Sequence, residues 1–144
     1  MSGQAVPCTY EQCALRIQYR LFDVRVVQGA AETPVGRIAL FAPRIEPLAT
    51  ASDTVRFHYA AYRNGQVGGA VLTLVGSVAL IGSAAVAFGS AFSTSDANEA
   101  AYAALFGAGV VAAFVGIAAT RRAQDHLQRA IWLYNRSLAG GGEP

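Results

Sequence analysis

The sequence predicts a mainly α membrane protein. A two-helix transmembrane hairpin follows a small N-terminal β segment of two or three strands and an interfacial amphipathic helix, and a long C-terminal helix extends the second span. Three observations predict this class. Val67–Phe92 and Ala101–Thr120 contain no charged residue and no histidine, and each reaches the roughly 20 residues that cross the hydrocarbon core. Both stretches are apolar or small all the way round, whereas a helix in water keeps a polar face. Charged residues make up 14% of the 144, well below the roughly 25% of soluble domains.

Residues 1–49 read as an extramembrane segment with short strands. Met1–Pro7 has neither the basic region nor the apolar run of a secretory signal, so the first hairpin helix is expected to direct insertion. Leu15, Ile17, Tyr19 and Leu21 alternate with Arg16, Gln18 and Arg20, the period of a half-buried strand. Asp23 marks a turn, and Val24, Val26 and Val27 suggest a second strand. Gly29–Gly36 reads as a loop. Arg37–Phe41 reads as a third strand, ending where Pro43 and Pro47 interrupt regular structure. A sheet this small cannot close a core alone. It must pack on the membrane-proximal helices or on another protein.

Residues 50–65 form the expected interfacial helix, capped by Ser52 or Asp53 and stopped at Asn64-Gly65. Tyr59 and Tyr62 share a face with Val55, as suits either a membrane interface or a partner. Residues 66–120 hold the hairpin, with spans at 67–92 and 101–120. Gly69, Thr73, Gly76, Ser83 and Ala87 in the first span are spaced by three, four or their sum. Ala104, Ala108, Ala112 and Gly116 in the second fall four apart. Small residues let helix backbones approach closely, so these nine are the candidate helix-packing positions. Leu72, Leu74, Leu80, Phe106 and Phe114 are left to face lipid or a neighbour.

Nothing breaks the helix after Ala119. Residues 121–138 continue it with Leu127, Ile131 and Tyr134 on one stripe, and 139–144 form a glycine-rich tail. Tyr59, Tyr62, Leu127, Ile131, Trp132 and Tyr134 are the candidate partner contacts.

Arg56 and Arg63 precede the first span, and Arg121, Arg122, Arg129 and Arg136 follow the second. The loop at 93–100 carries Asp96 and Glu99 with no base. The positive-inside bias then predicts both termini in the cytoplasm of a bacterial inner membrane, with that loop outside. A net charge of +2 without clustered bases and aromatics does not point to nucleic acid.

Little in the chain suggests chemistry. Cys8 and Cys13 form a C-x4-C pair. In the cytoplasm their thiols stay reduced, a disulfide suits the inverted topology, and a metal would need further ligands. The two histidines, His58 and His126, are far apart in sequence and lie just outside the spans, which suggests solvated or interfacial side chains. No nucleophile–base pair, phosphate loop or paired carboxylates are evident. We therefore expect no catalytic residue, cofactor, metal or small-molecule substrate.

The Cys-x4-Cys-Ala-Leu-Arg start, the Val-Val-Gln-Gly segment, the glycine-rich hairpin and the Ala130–Asn135 closing motif together resemble a family of small bacterial two-span membrane proteins. That family's motifs are structural and name no activity. In architecture the chain also resembles accessory subunits of respiratory or photosynthetic reaction-centre–antenna complexes. The resemblance implies a non-catalytic subunit bracing larger integral membrane proteins within the bilayer. The alternative is a self-assembling membrane scaffold or holin-like pore.

Overall fold

The computed structural model describes residues 8–21, 23–38, 44–90 and 96–140. In order it contains α1 (Tyr10–Cys13), β1 (Leu15–Arg20), β2 (Asp23–Gln28), β3 (Thr33–Ile38), α2 (Glu46–Ala49), α3 (Asp53–Ser90) and α4 (Asp96–Leu138). The chain divides into two units, one of Met1–Asn64 with Ala123–Pro144 and the other of Gly65–Arg122. Helices α3 and α4 contribute to both.

The first unit holds an antiparallel sheet in the order β1-β2-β3. Arg20 pairs with Asp23, closing the first hairpin over two residues. The second turns through Gly29, at φ 68°, where a Cβ would strike the Gln12 carbonyl. Only glycine fits there. The third strand starts at Thr33, earlier than the expected Arg37, so the loop is shorter than Gly29–Gly36. Pro34 is tolerated because β3 is an edge strand and its ladder is irregular at Val26/Val27. Leu40 and Phe41 lie outside the described residues. The alternation of β1 is only half realised, since Leu15 is buried while Tyr19 is 71% and Leu21 89% exposed. The strand runs out of the core.

The sheet packs on helices of its own unit. Leu15 and Val26 join Ile45 and Leu48, Val55, Tyr59 and Tyr62 of α3, and Ala123, Leu127, Ala130 and Ile131 of α4. Pro47 starts α2 instead of interrupting structure, because proline suits the first helical turn. Gly36 lets Ile45 sit on the strand, with the Ile45 Cγ1 only 2.7 Å from where a Cβ would stand. The Ile45 N–H donates to the Tyr59 hydroxyl at 2.5 Å.

Asn64-Gly65 does not stop a helix. The expected interfacial helix and first span are one element, the 38-residue α3. A glycine inside a helix costs only about 1 kcal/mol, and a glycine stop takes a positive φ. Among the described residues only Gly29, Glu32 and Gly140 adopt one. Helix α4 begins at Asp96, inside the expected 93–100 loop, since no proline or glycine delays it. Its 43 residues extend about 64 Å at 1.5 Å each. It ends as expected, with Gly140 at φ 80° behind it.

In the second unit α3 and α4 pack antiparallel through glycine. A Cβ on Gly76 would stand 2.7 Å from Ala113 N and 2.8 Å from Gly109 O. One on Gly116 would stand 2.7 Å from Thr73 N and 2.8 Å from Gly69 O. Thr73, Ser77, Ser83 and Thr120 donate their hydroxyls to carbonyls of their own helices. Val75, Val78, Ile81, Phe88, Val111 and Phe114 all point outward. Both helices are long and apolar enough to cross a membrane, and only 11% of each helix's most apolar stretch is buried.

Candidate functional site

Of the nine expected packing positions, Gly69, Thr73, Gly76, Ser83 and Gly116 lie in the helix contact. Ala112 is half-buried, while Ala87, Ala104 and Ala108 are exposed. Steps of four drift about 40° each around a helix of 3.6 residues per turn. The true α4 stripe alternates four and three through Gly109, Ala113, Gly116 and Thr120, the spacing of a helix seam. Gly109 was not among the candidates. Its missing side chain accepts Leu80, whose Cγ would lie 3.0 Å from a Cβ there. Leu80 therefore packs inward against α4, not outward as expected.

The six expected partner contacts divide as well. Tyr59, Tyr62, Leu127 and Ile131 belong to the protein's own core, because the small sheet needs them to exclude water. Tyr134 is half-buried at its margin, and burial raises the pKa of its hydroxyl. Burial, with Tyr59 beside it, pushes the Tyr62 hydroxyl up to about 12, and it has no hydrogen-bond partner among the described residues. Only Trp132 remains prominently outside, 56% exposed, with the Arg136 guanidinium 5.3 Å above its ring.

Two features of the first unit were not legible beforehand. His58 and His126 meet, Nδ1 to Nδ1, at 3.0 Å. Their centroids are 5.3 Å apart, so the rings stand end to end, as an in-line N–H···N bond requires. A bound cation would need two nitrogens converging from the side. One neutral ring donates and the other accepts. Burial, then His126 and Arg129, lower the pKa of His58, so the pair holds best when neutral or sharing one charge. Two charged rings would offer no acceptor.

The second feature is Asn135. Its Oδ1 accepts from Leu15 N at 2.7 Å and its Nδ2 donates to Leu15 O at 2.8 Å. The side-chain amide thus stands where the next strand's peptide would stand. Beside it opens a groove of about 440 Å³ lined by Arg16, Ile17, Tyr19, Gln128, Ile131 and Trp132, among others. Cys8 and Cys13 are joined as a disulfide, with Cα atoms 6.0 Å apart. Among the described residues no three His, Cys, Asp or Glu side chains cluster to hold a metal.

Fold and site together define a mostly helical protein with a small antiparallel sheet and two long apolar helices. Comparison with protein-family models, curated proteins and solved structures finds no match.

Proposed function

We propose that this chain is a non-catalytic accessory subunit of a larger bacterial inner-membrane complex, crossing the bilayer as a hairpin. One observation carries the reading. The close-packing glycines of α3 and α4 are spent on each other, while Val78, Ile81, Phe88 and Phe114 face outward. Such a surface is at rest only in lipid or against another membrane protein. The hydroxyls of Thr73, Ser77, Ser83 and Thr120 bond to carbonyls of their own helices, so they are not free to line a water path. That favours a subunit over the holin-like pore or self-assembling scaffold.

The flanking arginines support cytoplasmic termini and an outer 93–100 loop. The Cys8–Cys13 disulfide favours the opposite side. The six arginines weigh more, because charge bias acts during insertion, whereas a disulfide follows the compartment reached.

Native purification in mild detergent, with mass spectrometry of co-migrating proteins, tests the reading. Stoichiometric partners support it, and bound pigment would identify a photosynthetic complex. A homo-oligomer that makes vesicles leak would replace it with the pore.

A further inference from the structure

We propose that the open edge of β1, with the groove beside it, receives an extended acidic segment of a partner subunit as a fourth strand. The inference rests on the subunit reading above and names the surface that reading would use.

Gly29 N donates to Ala14 O at 2.9 Å, and the β1–β2 ladder continues that pairing. Bonding toward β2 alternates along an antiparallel strand. Ala14, Arg16, Gln18 and Arg20 therefore direct their N–H and C=O to β2, and Leu15, Ile17 and Tyr19 direct theirs away from it. Asn135 occupies the Leu15 position as one rung of a missing strand. The next two rungs, at Ile17 and Tyr19, lie on an edge, since among the described residues β1 has a neighbour strand on one side only. An incoming strand would extend the series that Asn135 starts, its alternate side chains entering the groove against Trp132.

Charge selects the occupant. Arg16 lines the groove and Arg136 lies over Trp132. Neither these nor Arg20 pairs with a carboxylate among the described residues. Arg25 and Arg37, by contrast, share Asp23. An acidic segment would neutralise the unshared bases. A second copy fits worse, because β1 (Leu15–Arg20) would bring two more arginines and no carboxylate to the edge, and in the register centred on Gln18 it would set Arg16 against Arg20, where opposed like charges destabilise a ladder.

The test places a photo-crosslinking phenylalanine analogue at Trp132 in the full chain in its own membranes. Tyr19→Pro removes one edge N–H and leaves the β2 ladder intact, and Tyr19→Ala removes the same ring but keeps the N–H. Both sites are exposed, so neither change empties the core. The expected result is a crosslink to an acid-containing, alternating segment of one co-purifying subunit. Its yield should fall about tenfold with Tyr19→Pro, stay within about twofold with Tyr19→Ala, and fall with Arg16→Glu. Crosslinks only to lipid or a second copy, or a yield that Tyr19→Pro leaves unchanged, would overturn the inference. If partners still co-purify in those cases, the subunit reading stands without this surface. If none co-purify with the wild type, the subunit reading itself has failed.

Discussion

Gly116→Ala is the sharpest test of the helix contact. The added methyl would stand 2.5 Å from Thr73 Oγ1, 2.7 Å from Thr73 N and 2.8 Å from Gly69 O. Two of these are backbone atoms of the facing helix and cannot swing aside. Bringing 2.7 Å up to the 3.4 Å of ordinary contact parts the helices by roughly 0.7 Å. Overpacking of this kind costs about 1–3 kcal/mol, against a gain of about 1 kcal/mol from replacing glycine within a helix. The net expectation is a loss of up to about 2 kcal/mol. Gly82 and Gly107 provide the control, since a Cβ at either meets nothing within 4 Å. Alanine there should gain up to about 1 kcal/mol. Titrating SDS into mixed micelles and following helicity by circular dichroism would order the three variants. Should Gly116→Ala resist SDS as well as Gly82→Ala does, the close backbone approach of α3 and α4 at Gly116 is refuted.

Three further outcomes are expected. Asn135→Ala removes both bonds to Leu15, which should cost about 1–3 kcal/mol and raise amide exchange at the start of β1. His58 has a lowered pKa, so the unfolded chain binds its proton more readily. Its contribution is therefore complete above the ordinary value near 6.5 and is lost as pH falls through the lowered one. Thermal melts from pH 8 to pH 4 should show that loss, and His58→Gln should flatten it. An impermeant maleimide applied after reduction should reach Cys8 in inverted vesicles but not in right-side-out ones. Labelling in the opposite orientation would invert the proposed topology and suit the disulfide.

How much could be read in advance differs from element to element. The two long apolar helices were legible because runs of this length without a polar face point to helices apolar all round. The continuity of α4 was legible too, since no breaker follows Ala119. The join at Asn64-Gly65 was not, because the same dipeptide ends a helix or passes through one according to what its flanks pack against. The Ala104 series failed for a geometric reason: steps of four leave a face that steps of four and three keep. His58 and His126 looked unrelated at their distance in sequence, although counting back along an antiparallel hairpin brings them opposite each other.

The sequence by itself determined the class, two long apolar helices with a small β segment, because hydrophobic period and the absence of charge are local properties. The tertiary structure alone decided which residues meet. Tyr62 could have served a partner until a three-stranded sheet needed it for a core. Asn135 was one polar residue on a helix until its amide met an unpaired strand edge. Pairing depends on register and on competition for the same buried space, and neither is written in any one segment.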